Sequence, residues 1–254
     1  MKKIIIGISI FLLSSVAWAG VDFDGIDDLI TVGDADNLEG YTAISFGGWV
    51  KRNGAQPDSG FGTSFIKPRA GSQPVYCVFI KDAGARVRLN TVTDDSGLNS
   101  WEILNDFVSG EWHHFFVTWT SGEKPKIYFD GVSQSLSADG GTLTGTLVTS
   151  TDPLQFSLAT LRYKGVVSEW YLYSAALTST EVTMIANSKV KGIGLQIQPS
   201  SLKAYYPLDD QPDGASGDGD TFLDRSGLGH NATGNDGANN TGLTAKAEEV
   251  LSYP

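Results

Sequence analysis

The sequence predicts an all-β protein, a two-sheet antiparallel sandwich with one short helix near residues 179–187. Three observations carry this. Apolar residues gather in short runs separated by Gly, Asp, Asn and Ser, thirty glycines in 254 residues supply the turns, and helical patterning is confined to one segment.

Strands are expected over residues 29–32, 43–51, 64–67, 75–81, 86–91, 100–104, 112–120, 126–129, 154–159 and 166–173. Asp130-Gly131 joins 126–129 to a further strand over 132–136, because a tight primed hairpin turn requires positive φ at both central residues. Several runs are apolar at consecutive positions, as in Phe115-Phe116-Val117, which implies burial on both faces. Thr178-Ser179-Thr180-Glu181 reads as a capping box, with Leu177 placed to staple onto Val182, so the helix starts there and ends near Asn187.

Residues 1–19 read as a cleaved signal peptide: Lys2 and Lys3, an apolar run from Ile4 to Val16, then Ala17-Trp18-Ala19. The run is too short to span a bilayer. The expected location is secreted, at the cell surface, or periplasmic. Losing Lys2 and Lys3 takes the net charge from −11 to −13, and the basic residues are scattered singly. Nucleic acid is therefore excluded as a partner, since phosphate binding needs clustered Lys and Arg. The single cysteine, Cys77, lies in an apolar run and reads as a buried thiol. An exported chain without disulfides needs a large core or a bound metal, and 41% hydrophobic residues suffice for the core.

The organisation that follows is a sandwich over 20–188, a connector over 189–201, and a C-terminal segment over 202–254. Residues 203–208 read as a strand, whereas the Asp-, Gly- and Asn-rich stretch after it has the composition of a loop.

Phe23-Asp24-Gly25-Ile26-Asp27-Asp28, Ile44 through Lys51 with Trp49, Glu111 through Trp119, Ile127-Tyr128-Phe129-Asp130-Gly131, and Val167 through Tyr173 followed by Ala176-Leu177-Thr178 and Glu181 occur in that order. Together they resemble the laminin G-like jelly-roll domain of the concanavalin A-like lectin/glucanase superfamily, over about residues 21–188. The resemblance implies a jelly-roll sandwich whose job is to bind, with a glycan or cell-surface polysaccharide as the expected partner. Tyr205-Tyr206-Pro207-Leu208-Asp209-Asp210 and Asp224 through Thr233 resemble what usually opens such a domain, yet here they come last. Residues 202–254 are thus expected to supply a permuted first strand and metal loop, or else to begin a truncated repeat.

The resemblance also implies a calcium ion at the sandwich rim. Calcium takes six to eight oxygens, and glycine-rich turns let carbonyls approach it. Asp224, the Gly229 carbonyl and Asn231 share one such loop, and Glu169 and Asp24 are expected to complete the shell. The alternative is that Asp224 and Asn231 only cap turns. The Gly-Asp-Gly-Asp at 217–220 occurs once and reads as a solvated loop. His113 and His114 point to opposite faces of one strand and cannot share an ion.

Catalysis is not expected. The paired acids of the glucanases and the Arg, His, Tyr and Lys strands of the alginate lyases, which the resemblance brings into question, have no counterpart here. A sugar site needs an exposed aromatic beside polar loops, and Trp101, then Tyr163 with Arg162, are the candidates; Trp49, Trp119 and Trp170 read as core. The expected function is a secreted, calcium-stabilised, non-catalytic carbohydrate-binding or adhesive module. A self-assembling surface protein that uses its C-terminal segment and a divergent polysaccharide-cleaving enzyme are the alternatives.

Overall fold

The computed structural model describes residues 17–33, 37–71, 73–93, 99–212, 214–237 and 242–250. The signal segment expected over 1–19 lies outside the described residues as far as residue 16. Two antiparallel sheets of eight strands face each other, as a two-sheet sandwich requires. The first sheet runs β10 (Val132–Ser133), β9 (Lys126–Phe129), β8 (Trp112–Thr120), β3 (Ala43–Arg52), β12 (Lys164–Tyr173), β1 (Ala17–Asp24) and β16 (Thr244–Val250), with β13 (Leu202–Tyr206) also paired to β12. The second runs β14 (Thr221–Phe222), β15 (Ala232–Asn235), β2 (Leu29–Val32), β11 (Leu154–Phe156), β4 (Phe61–Lys67), β5 (Tyr76–Lys81), β6 (Gly84–Leu89) and β7 (Ser100–Ile103).

Residues 202–250 contribute to both sheets. β13 takes the C-terminal half of β12, where Trp170 faces Tyr206 and Leu172 faces Ala204, while β1 takes the N-terminal half. β16 pairs β1 at the sheet edge, and β15 pairs β2 from Ala232 opposite Val32 to Asn235 opposite Leu29. The strands β14, β15 and β16 fall in the stretch whose composition reads as loop. Gly234 shows why composition misleads: a Cβ there would lie 2.0 Å from the Gly217 carbonyl oxygen, so a strand glycine lets two backbones touch. The expected strand over 154–159 stops at Phe156 because Ser157 adopts a φ of 66° and turns the chain. The strand over 132–136 shortens to two residues, although Asp130 and Gly131 take the expected positive φ of 50° and 76°.

The core fills the space between the sheets. Phe65 sits at its centre, with ring centroids of Trp170 at 4.9 Å, Phe156 at 5.2 Å, and Phe46 and Tyr76 both at 5.9 Å. A second apolar layer covers the outer face of the first sheet: Phe116, Tyr128, Tyr171, Tyr173 and Tyr205 pack under Leu177, Val182 and Ile185. The last two lie on the one α-helix among the described residues, α1 (Ser179–Asn187). Its capping box forms as the sequence predicts, with the Thr178 amide donating to Glu181 Oε2 at 2.7 Å and the Glu181 amide to Thr178 Oγ1 at 3.3 Å. No helix among the described residues is long and apolar enough to cross a membrane.

Candidate functional site

The aromatic residues expected to meet a sugar do not reach the surface. Trp101 and Tyr163 are both 0% exposed. Alternation along β7 turns Trp101 into the core, where its indole donates to the Gly141 carbonyl at 3.1 Å. Tyr163 packs edge-on against Phe23 and donates to the Lys51 carbonyl at 3.2 Å. These two expectations are corrected: polar flanking residues mark where the chain surfaces, but the period of two buries Trp101 between them, and Tyr163, just before β12, is drawn inward by the hydrogen bonds its amide donates to Ser157 Oγ and its hydroxyl to Lys51. Arg162 is engaged as well. It grips Asp58 with Nη2 at 2.8 Å and Nε at 3.2 Å, and its Nη1 donates to the Ile26 carbonyl at 3.0 Å.

The five expected calcium ligands do not make one shell. Asp224 Oδ1 accepts from the amides of Tyr205 at 3.0 Å and Ser226 at 2.9 Å, and Oδ2 accepts from Ser226 Oγ at 2.8 Å and the His230 amide at 3.1 Å. Asn231 Oδ1 accepts the Asp224 amide at 3.0 Å. These are turn-organising bonds, and they leave the carboxylate with its acceptor sites filled. Gly229 lies in this same loop at a φ of 83°. Glu169 sits on the β12 bulge, 2% exposed, accepting from Tyr205 Oη at 2.6 Å, Tyr171 Oη at 2.9 Å and the Gly192 amide at 2.8 Å. Burial pushes its carboxyl above the usual range, against the opposing pull of Tyr205, Gly192 and Tyr171.

Asp24 alone of the five stands in an acid cluster. The turn from β1 to β2 brings carboxylate oxygens of Asp24, Asp27 and Asp28 within 4.8 Å of one another. Asp24 and Asp28 organise the turn, the Asp24 amide donating to Asp28 Oδ2 at 2.6 Å and the Ile26 amide to Asp24 Oδ1 at 2.6 Å. A fourth acid, Asp236, comes from the end of β15, with Oδ1 accepting the Gly242 and Leu243 amides at 2.8 and 3.2 Å. Asp28 and Asp236 are each 1% exposed, and Asp28 Oδ1 and Asp236 Oδ2 are buried with no hydrogen-bond donor. Burial first, then the close approach of the Asp236 carboxyl and the negative charges of Asp24 and Asp236, raises the Asp28 carboxyl well above the usual range, against the opposing pull of the Asp24 amide. The backbone closes in on this cluster: a Cβ at Gly242 would lie 2.5 Å from Asp24 Cγ and 2.7 Å from Asp28 Oδ1, and one at Gly237 2.5 Å from Asp27 Cγ. Crowded carboxylates with orphan oxygens and close glycine backbone are groups that could hold a hard cation.

At the opposite end of β2 lies a groove of about 540 Å³ lined by Glu39, Arg69, Ala70, Thr149, Ser150, Thr151 and Asp152. Its floor is a buried ion pair, Lys67 Nζ to Glu39 Oε2 at 3.1 Å, with both side chains at most 3% exposed. Lys67 also donates to the Asp152 carbonyl at 2.6 Å, and the Ser150 amide donates to Glu39 Oε1 at 2.6 Å. One charged pair thus ties the loop before β3, the end of β4 and the loop before β11. Burying such a pair returns little stability, so its value lies in fixing the three loops in one arrangement. The groove presents hydroxyls, two acids and a guanidinium, and its volume suits a small polar ligand. The sequence held no local signal for it, because Glu39, Lys67 and Ser150 are far apart along the chain.

A family model described as concanavalin A-like lectin/glucanases superfamily, Laminin_G_3, matches residues 24–183. Among solved structures, a candidate carbohydrate binding protein from Bacteroides ovatus is similar with a TM-score of 0.61 and 16% identity, over 93% of this chain and 62% of that one. The chain therefore spans less than two thirds of that relative. A native heptameric SAP-like pentraxin from Limulus polyphemus is similar with a TM-score of 0.50 and 12% identity, over 68% of this chain and 83% of that one. At such identities the two structures speak for the fold alone. No curated protein sequence matches this one.

Proposed function

The chain belongs to the Laminin_G_3 family of the concanavalin A-like lectin/glucanases superfamily, and from that premise we propose that it is an exported, non-catalytic glycan-binding module stabilised by calcium. The observation that carries the binding reading is the groove over the Lys67–Glu39 pair, where polar groups from three loops are held rigidly around a space of about 540 Å³. A sugar offers many hydroxyls, and Thr149, Ser150, Thr151 and Arg69 can bond them without the entropy cost of ordering loose loops. The non-catalytic reading is supported by how the two groove acids are used: Glu39 accepts a backbone amide and pairs with Lys67, so both its oxygens serve the scaffold, which leaves Asp152 without a second free acid for paired-acid chemistry in the groove. The test is a glycan array followed by titration calorimetry of the best ligand. Arg69→Ala and Ser150→Ala are expected to weaken binding at least tenfold with the melting temperature kept. A wild-type protein that binds no glycan, or one that cleaves it, overturns this reading.

Calcium is assigned to Asp24, Asp27, Asp28 and Asp236 in place of the Asp224 loop. When bound, the ion supplies positive charge that offsets the crowding of four acids and provides partners for Asp28 Oδ1 and Asp236 Oδ2. Arg162 positions this site by fastening the Ile26 carbonyl to the Asp58 loop. Export is expected to remove residues 1–19, and the pairs of β1 with β16 from Gly20 onward survive such a cut. N-terminal sequencing of secreted protein should read Gly20 first.

A further inference from the structure

The outer face of the second sheet carries a group of cations that the groove does not use. Tyr76, Val78, Ile80, Ala85, Val87, Leu89, Trp101 and Ile103 point into the core, so alternation turns Phe79 and Lys81 on β5, Arg86 and Arg88 on β6, and Glu102 on β7 outward. Phe79, Arg86 and Glu102 are directly paired across the three strands, and Arg88 lies opposite Cys77, which lies opposite Ile66. Arg86 stands 4.9 Å over the Phe61 ring and pairs with Glu102, which also takes Lys81 at 2.7 Å. Burial alone would raise the Glu102 carboxyl, but Lys81 and Arg86 hold it below its ordinary value.

Arg88 differs from these. Its guanidinium lies 5.5 Å over the Phe79 ring, Nη1 donates to Gln73 Oε1 at 3.0 Å, Nε has no hydrogen-bond partner, and among the described residues it makes no ion pair. Gln73 belongs to the β4–β5 loop that also brings Arg69 and Ala70 to the groove, and Ile66 precedes the groove-floor Lys67. Arg88 is therefore two strands, about 10 Å, from the β4 end of the groove, and Arg86 is about 7 Å further along β6. Lys81 and Arg86 share one carboxylate and Arg88 has none among the described residues, on a chain of net charge −11, so an anionic polymer repelled elsewhere meets a favourable field here. The guanidinium is already held over an aromatic ring and by Gln73, which lowers the cost of fixing it against an anion.

We propose that the ligand of the groove is a carboxylate-bearing polysaccharide that extends over β5 and β6, with Arg88 receiving a carboxylate; this rests on the glycan-binding reading above. The test uses the full chain, and polygalacturonate, alginate and hyaluronate, each compared with its methyl ester, which keeps the backbone and removes the charge. The expected result is that at least one acid form binds tenfold or more tightly than its ester, with affinity falling steeply as salt rises. Arg88→Gln should abolish that difference with unchanged circular dichroism and melting temperature, and Arg88→Lys should retain part of it. Equal binding of acid and ester, insensitive to Arg88→Gln, overturns the proposal and leaves glycan binding standing. Binding of dextran sulfate without any carboxylated polymer overturns the carboxylate assignment. Failure of the wild type on every polymer and on the array takes down both readings.

Discussion

His114 on β8 is fully buried between Trp49, edge-on at 5.3 Å, and Phe116, stacked at 5.6 Å, and neither ring nitrogen has a hydrogen-bond partner. Burial holds its pKa down at about 4 against an ordinary 6.5, the charge of Asp130 only partly opposing. Between those values the unfolded chain binds the proton and the folded chain does not, so stability is lost as pH falls from 6.5 toward 4, by up to about 3 kcal/mol. Urea unfolding of wild type and His114→Phe across that range checks this, since the difference between the two should flatten the slope in the variant. His113 illustrates the opposite fate one residue earlier, its Nδ1 bonding Asp130 at 3.0 Å between Phe107 and Phe129. Trp101, whose polar neighbours suggest a sugar platform, should behave as core: Trp101→Ala is expected to cost about 3–5 kcal/mol in a melting experiment and to leave glycan affinity unchanged.

At the scale of elements, β13, β14, β15 and β16 bury Leu202, Ala204, Tyr205, Tyr206, Phe222, Ala232 and Ala245 against the rest of the chain. Removing residues 202–254 would uncover β12 and β2 along their paired edges as well as this apolar surface. The loss exceeds the 5–15 kcal/mol that holds a typical domain together, so a chain ending at residue 201 should show no cooperative melt. A normal melt for that truncation would show the segment to be dispensable. Within β15, Gly234→Ala should destabilise by about 1–3 kcal/mol because the new methyl meets the Gly217 carbonyl. At the helix start, Thr178→Ala should cost about 1 kcal/mol.

For the molecule as a whole, the two ends of β2 carry different chemistry: acids crowd where β1 turns into β2, and a neutralised polar groove opens where β2 leads to β3. Calcium at a hundredfold excess over its Kd should add about 2.7 kcal/mol of stability. Differential scanning calorimetry with calcium and with chelator should show this as a raised melting temperature, lost in Asp28→Asn and Asp236→Asn. Asp224→Ala should instead lower the melting temperature with and without calcium alike, since its four hydrogen bonds order its own loop and tie it to Tyr205 on β13. An equal calcium shift in all three variants would remove the ion from the Asp28–Asp236 cluster.

What the sequence determined by itself is what neighbours along the chain decide. The span of β8, the Asp130-Gly131 turn and the Thr178 capping box depend on residues within one strand or one turn, and they are legible as patterns. The sandwich follows because many such pieces agree. Tertiary structure decided the rest. Whether Asp224 has free lone pairs depends on Tyr205 and His230, and whether Trp101 is exposed depends on which face of β7 meets the other sheet. Glu39 meets Lys67 and Ser150, and Asp28 meets Asp236, only once β15, β2, β11 and β4 have paired side by side in the second sheet. Composition at 209–250 reads as solvated loop because hydrophobicity is local, whereas the pairing edges that order it belong to β1 and β2, some two hundred residues away.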